Sequence, residues 1–143
     1  MAMYDNYMNP AFAGMKADSG FDRVESYPVA ADGLQSGVVV GKDAKGLVVA
    51  GKGAKTAIGV TIHSHAQIEP YKQGDCVSVM TRGLCWARVA TGKTAAAGDP
   101  VKYDANGLLD GAAANVLTNA IIRDVKDVNG EKIACVELHA PTV

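Results

Sequence analysis

Residues 75–90, DCVSVMTRGLCWARVA, are the stretch that most directly indicates the fold class of this chain. Two apolar-rich runs, Asp75–Thr81 and Leu84–Ala90, have the length and β-branched content of β-strands. Arg82-Gly83 lies between them, and a two-residue turn there predicts a β-hairpin. In that hairpin Trp86 shares a face with Val77, Val79 and Leu84, so we expect Trp86 in the core.

Similar short apolar runs, separated by turn residues, follow one another from about Val29 to the end of the chain. This spacing is typical of an all-β sandwich or barrel. The further predicted strands are Leu34–Gly41, Gly46–Ala50, Thr56–His63, a strand ending at Tyr103 after the turn 97–100, Leu117–Val125 and Glu131–His139, with turns at 104–107 and 127–130. Residues 111–117 are the only candidate helix. We therefore predict an all-β fold, a single β-sandwich or jelly-roll-like domain over residues 29–143.

The run Thr56–His63 alternates in the manner of a strand with one buried face. Ile58, Val60 and Ile62 define the predicted core face, which leaves Thr61 and His63 on the wetter face. His63 and His65 would then point to the same side and could chelate a metal. A structural metal site needs four ligands and no acid or cysteine cluster stands close in sequence, so a solvated histidine pair is favoured and no metal is expected.

The segment Gly46–Gly53, GLVVAGKG, is one residue short of the phosphate-binding pattern G-x-x-x-x-G-K-[S/T]. Position 53 is Gly, so the hydroxyl that would hold magnesium is missing. No helix-forming run follows to place a helix N-terminus against a phosphate. The segment therefore indicates a strand ending in a Gly-Lys-Gly turn, and no nucleotide or other cofactor is expected.

Composition excludes several broad classes of function. The 143 residues carry 14 Lys+Arg against 15 Asp+Glu, a net charge of −1, which gives no general attraction to nucleic acid or to an anionic membrane. The odd number of cysteines, Cys76, Cys85 and Cys135, does not form a disulfide framework, so reduced and mostly buried thiols are expected. Neither a signal peptide nor a membrane span is evident, which favours a protein made in a reducing cytoplasm.

Catalytic patterns are also missing from the sequence. No serine lies in a G-x-S-x-G elbow, and the cysteines lie in predicted strands where a thiol is usually inert. Carboxylate pairs such as Asp124 and Asp127 fall at turns. We therefore expect no enzyme activity.

Residues 1–28 differ from the rest of the chain. They hold five of its eight aromatic residues and four of its five methionines, with no regular period. Such a composition predicts an extended N-terminal arm that lies against an apolar surface, because aromatic rings supply the burial that offsets ordering entropy. The predicted interface residues are Tyr4, Tyr7, Met8, Pro10, Phe12, Met15, Phe21 and Tyr27.

Four lysines, Lys42, Lys45, Lys52 and Lys55, flank the predicted strand Gly46–Ala50 at both ends. They could contact an acidic partner. Charges at turns and sheet edges also protect sheets from aggregation, and this ordinary role is the favoured interpretation.

Four segments taken in order resemble the structural cement (capsid decoration) proteins of tailed bacteriophages: 9–19, 58–62, 71–87 and 97–104. These read NPAFAGMKADS, IGVTI, YKQGDCVSVMTRGLCWA and AGDPVKYD, and the likeness covers nearly the whole chain. Cys76, Cys85 and the pair His63 and His65 depart from the family pattern.

The resemblance implies a non-enzymatic virion protein of jelly-roll type that binds the outer surface of the capsid, bridges major capsid subunits and stabilises the expanded head. It further implies self-association, as a homodimer or alternatively a homotrimer, with no direct nucleic-acid or membrane contact. The alternative hypothesis is a carbohydrate-binding β module, which would need Trp86 or another ring exposed as a sugar platform.

Overall fold

The structure, a computed structural model, describes residues 13–63, 70–128 and 130–139, and the side chains of residues 18–21 are not described. The described residues form eight strands and no helix that could cross a membrane. The strands are β1 (Lys16–Pro28), β2 (Val39–Lys42), β3 (Val48–Ala50), β4 (Ala57–Ile62), β5 (Cys76–Arg88), β6 (Pro100–Tyr103), β7 (Asn115–Val128) and β8 (Glu131–Leu138). The predicted all-β class is confirmed.

The eight strands join in one antiparallel sheet with the order β3-β2-β4-β5-β8-β7-β6, and β1 pairs with β5. The sheet is curled, as shown by the fact that strands from its two ends contribute to the same core. Val39 of β2 and Val101 of β6 belong to one buried cluster, and the Val39 N–H donates to the Gly107 carbonyl at 2.9 Å. The jelly-roll arrangement within this all-β class stays a prediction.

The predicted hairpin at Arg82-Gly83 is wrong. β5 runs without a turn from Cys76 to Arg88, and its partners change along its length. Its first half pairs with β4 and β1, and its second half, from Gly83 onward, pairs with β8 and the beginning of β1. β5 is therefore the central strand of the sheet.

Gly83 does not form the turn that the sequence predicted, but permits a close contact between β5 and β1. Its φ is +120°, and an added Cβ would lie 2.9 Å from the Asp22 Cβ and 3.0 Å from the Asp22 Cα. At the same place the β1–β5 register shifts between Asp18, opposite Leu84, and Arg23, opposite Arg82. The glycine thus lets an irregular part of β1 approach the central strand closely.

The alternation predicted that β4 has one buried face and one solvent-exposed face. The structure instead encloses both faces. Thr61 is fully buried, and its hydroxyl donates to the Gln35 carbonyl at 2.7 Å and accepts from the Val38 N–H at 3.1 Å. Residues 34–38, predicted as part of a strand, form instead a turn-rich segment that covers this face. β4 is therefore enclosed on both sides, which a threonine tolerates because its hydroxyl is satisfied.

Most other predicted strands are confirmed with shorter or longer bounds. β3 is followed by a turn over residues 51–54 with positive φ at Gly51 and Gly53, as predicted for this near-match to a phosphate-binding loop. β7 and β8 form the predicted hairpin, with Val128 opposite Glu131. The candidate helix at 111–117 is wrong, since its last three residues begin β7. The pairing of Asn115 with Tyr103 satisfies backbone groups that a short helix would leave exposed.

Candidate interaction surface

The candidate surface begins with β1, which lies along the central strand β5. Residues Arg23–Pro28 pair antiparallel with Cys76–Arg82. Val24 is 39% exposed, which is unusual for a large apolar residue in this protein. The second half of the predicted N-terminal arm is therefore a strand rather than an irregular segment, and it packs on its own domain.

Tyr27, the last aromatic residue of the predicted interface set, is half-buried in β1. Its hydroxyl donates a hydrogen bond to the Glu25 carboxylate, which also accepts from the Thr81 hydroxyl and the Arg23 guanidinium, each at 3.2 Å. The hydrogen bond from Tyr27 contributes most to lowering the pKa of Glu25, and the same bond raises the pKa of Tyr27. Glu25 therefore stays ionised and holds the Tyr27 ring in place.

Lys42 at the end of β2 completes this group, a contact that no sequence pattern indicates. Its ammonium nitrogen lies 4.1 Å from the centre of the Tyr27 ring. The two residues are far apart in sequence and on different strands, so only the sheet topology brings them together. The contact links β1 to the end of β2.

Met15 lies at the start of the described chain, beside Trp86. The Trp86 N–H donates to the Met15 carbonyl at 2.9 Å, and the Gly14 N–H donates to the Trp86 carbonyl at 2.7 Å. Ala13, Trp86, Ile133 and Cys135 form a buried cluster against which Met15 packs. Met15 thus contacts its own domain, and the prediction that Trp86 is a core residue is confirmed by its 6% exposure.

The remaining predicted interface residues cannot be placed on this surface. Tyr4, Tyr7, Met8, Pro10 and Phe12 lie outside the described residues. Phe21 belongs to β1, and its side chain is outside the described part.

An open cleft of about 400 Å³ lies between β3 and the segments 29–38 and 106–108. Its lining residues are Val29, Ala31, Asp32, Gly33, Leu34, Gln35, Val38, Val48, Val49, Ala50, Asn106 and Leu108. The Asp32 carboxylate accepts from the Gln73 N–H at 2.8 Å. In the part of the chain that the structure describes, no three His, Cys, Asp or Glu side chains are grouped to hold a metal ion.

His63, from the candidate histidine pair, is half-buried, and its N–H donates to the Gly14 carbonyl at 2.9 Å. Its backbone therefore anchors the start of the described chain. His65 lies outside the described residues.

The three thiols are free, as predicted, but they differ in accessibility. Cys76 is exposed, whereas burial raises the pKa of Cys85 to about 12 and also raises the pKa of Cys135. Because the thiolate is the reactive form, we expect N-ethylmaleimide at neutral pH to label Cys76 alone in the folded protein and all three cysteines in denaturant. Intact-mass spectrometry checks this, with Cys76→Ser as the unlabelled control. Equal labelling rates at two positions in the native protein would contradict it.

Comparison with solved structures supports the observed fold. The chain is similar to one in a structure titled "The capsid of Myoviridae Phage XM1", with a TM-score of 0.68 and 16% sequence identity. The likeness covers 95% of this chain and 97% of the other. At this level of identity it concerns the fold alone. No curated protein matches the sequence.

Comparison with protein families is more specific. The family described as structural cement protein (E217 gp24/Pam3 gp6) matches residues 2–139, which include both β1 and the whole curled sheet. The match agrees with the resemblance seen in segments 9–19, 58–62, 71–87 and 97–104. This chain therefore belongs to the structural cement protein family of bacteriophages.

Proposed function

We propose that this protein binds the outer surface of a bacteriophage head, bridges neighbouring major capsid subunits and stabilises the expanded shell. Membership of the structural cement family gives the chain a structural role in the virion. The similar fold of a chain from a phage capsid supports the same assignment.

The observation that carries the proposal is the anchoring of the N-terminal segment on the domain. Ala13 is 9% exposed, and residues 14 and 15 form two backbone hydrogen bonds with Trp86. Residues 1–12, which contain Tyr4, Tyr7 and Phe12, precede this anchored point in the sequence. Aromatic anchors of this kind commonly carry interface energy, and we assign Tyr4, Tyr7 and Phe12 to the contact with the capsid or with a second copy.

Self-association strengthens such a contact without any new interaction. A homodimer, or alternatively a homotrimer, touches several capsid subunits at once, and the second contact forms at a high effective concentration. Binding only the assembled, expanded shell stabilises that state by mass action. The shell then resists the pressure of packaged DNA better than an undecorated one.

The decisive experiment adds the purified full-length chain to undecorated heads of its phage. We expect saturable binding on the outer surface, and a higher temperature of shell disruption in the decorated heads. Cryo-electron microscopy locates the added density, and calorimetry measures the disruption. Heads that never bind the full-length chain would refute the proposed function.

Removal of residues 1–12 tests the role of the arm. A longer deletion would remove residues 13–15, which anchor the segment to Trp86, and then β1, so residue 12 is the appropriate limit. We expect about tenfold weaker binding, equivalent to about 1.4 kcal/mol, with unchanged thermal unfolding of the free protein. Removal of residues 140–143 is the control and should leave binding unaltered. Equal binding by both truncated chains would exclude the arm as an anchor.

A carbohydrate-binding role receives no support from Trp86. Its ring is buried in the cluster with Ile133 and Cys135, and the Lys126 ammonium lies 5.6 Å from its centre. A sugar platform needs an exposed ring face.

A further inference from the structure

Backbone packing brings the four lysines around β2 and β3 to one corner of the sheet. An added Cβ on Gly41 would lie 2.2 Å from the Lys52 carbonyl oxygen, and one on Gly53 would lie 2.4 Å from the Lys42 carbonyl oxygen. The Ala54 N–H donates to that Lys42 carbonyl at 2.9 Å. The loop that carries Lys52 and Lys55 therefore packs directly on the end of β2. We call Lys42, Lys45, Lys52 and Lys55 the lysine corner.

Like Lys72, Lys93 and Lys102, the lysines of the corner form no ion pair with a described carboxylate. The corner differs from those positions because its four lysines lie within residues 42–55, on backbone segments that pack together. Across the described ranges, ion pairs join Lys16 to Asp22, Arg23 to Glu25, Arg88 to Glu131 and Arg123 to Glu137. No ion pair with a described carboxylate involves the four lysines of the corner. Lys45, Lys52 and Lys55 are exposed, so their charges face outward.

The carboxylates of Asp43 and Asp104 lie near the corner, and both are engaged by backbone donors. Asp43 accepts from the N–H groups of Lys45 and Leu47, each at 2.9 Å. Asp104 accepts from the N–H groups of Asn106 and Leu108, in the turn that packs against Gly51. A third carboxylate, Glu25, reaches Lys42 only through Tyr27 and is paired with Arg23. Asp43 and Asp104 therefore offset two of the four lysine charges, and the corner is locally positive in a chain whose net charge is −1.

The corner is continuous with the β1 surface. Lys42 lies over the Tyr27 ring, and the Ala30 N–H donates to the Val48 carbonyl at 3.0 Å, which ties the end of β1 to β3. The pairing of Val48 with Lys42 completes the connection. A partner that covers Tyr27 therefore also meets the lysine corner.

We infer that the lysine corner is a docking surface for an acidic patch of a partner protein, and this inference rests on the proposed capsid-binding function. Lysines are flexible point charges that suit dispersed carboxylates. A nucleic acid is the less favoured partner, because the corner has no arginine, and Tyr27, the described ring that Lys42 contacts, has one face under that ammonium and packs against the buried cluster of Val29 and Val48. Charge complementarity of this kind adds mostly to the association rate and falls with salt.

The test is a charge reversal at the three exposed lysines, K45E/K52E/K55E, which leaves the Lys42–Tyr27 contact intact. The control, K93E/K102E/K132E, makes the same change in net charge elsewhere on the protein. Both variants are first compared with the parent protein by thermal unfolding. Binding to undecorated heads is then measured between about 50 and 300 mM salt, a range over which exposed charges become screened.

We expect the corner variant to bind at least about tenfold more weakly at the lowest salt and to lose most of the salt dependence. The control should bind within about twofold of the parent protein. Equal binding by the corner variant and the parent, or equal weakening of both variants, would overturn the inference while leaving the capsid-binding function intact. Parent protein that binds no heads would refute the proposed function and, with it, the inference.

A parallel measurement with short duplex DNA separates the two classes of partner. DNA binding by the parent protein that the corner variant loses, without any change in head binding, would reassign the corner to nucleic acid. Aggregation of the corner variant with unchanged head binding would reassign it to edge protection.

Discussion

Gly83→Ala is expected to lower the free energy of unfolding by about 3 kcal/mol, since the residue has both a positive φ and a close backbone neighbour. The new methyl group would lie 3.0 Å from the Asp22 Cα, and φ is +120° at this position. For a chain of 143 residues this corresponds to a fall in melting temperature of roughly 10 °C. Differential scanning calorimetry measures it.

Gly98→Ala is the matched control for the backbone contribution. Its φ is +89°, and nothing lies within 4 Å of an added Cβ, so only the conformational cost of about 1 kcal/mol should remain. Hydrogen exchange adds a local readout, because displacement of β1 should increase exchange along residues 23–28 in the Gly83 variant alone. Similar melting temperatures for the two variants would show that Asp22 of β1 does not lie close to Gly83 of β5.

Trp86→Ala is expected to have an effect of similar size, about 4 kcal/mol, because it removes the largest side chain of a buried cluster. Trp86 is 6% exposed and packs with Ala13, Ile133 and Cys135. The cavity would also weaken the anchoring of residues 13–15, since their hydrogen-bonding partner in β5 is Trp86 itself. Chemical denaturation gives the change in the free energy of unfolding.

Trp86→Phe is the matched control and should cost clearly less than the alanine variant, because a smaller ring still fills most of the space. Cys135 gives a second readout. Its reaction with N-ethylmaleimide should accelerate in Trp86→Ala, because the indole that covers it is lost. A near-native denaturation curve together with lost binding to glycans would instead support an exposed sugar platform.

Much of the local structure was predictable because it depends on neighbours in sequence. The turn at residues 104–107 has an aspartate that caps its own backbone, and the β7–β8 hairpin has a glycine with a positive φ at residue 130. Free cysteines followed from their number and spacing. The family was recognisable from short segments taken in order, and the match over residues 2–139 agrees with it.

The errors arose where distant strands decide the role of a residue. Arg82-Gly83 has the composition of a turn, but here the glycine serves a close approach between β1 and β5. Thr61 is a polar residue in an alternating run, which predicts a solvent-exposed position, but residues 34–38 cover it and satisfy its hydroxyl. Neither contact leaves a periodic trace in the sequence, because the partners are far apart along the chain.

By itself, then, the sequence determined the all-β class, most of the turns and the free state of the thiols, since strand period, turn chemistry and composition act over a few residues. Only the tertiary structure decided that β5 is one central strand, that β1 pairs with it, and that Lys42 lies over Tyr27. These features depend on which distant segments pair, and that choice is made by the packing of the whole curled sheet around a shared core.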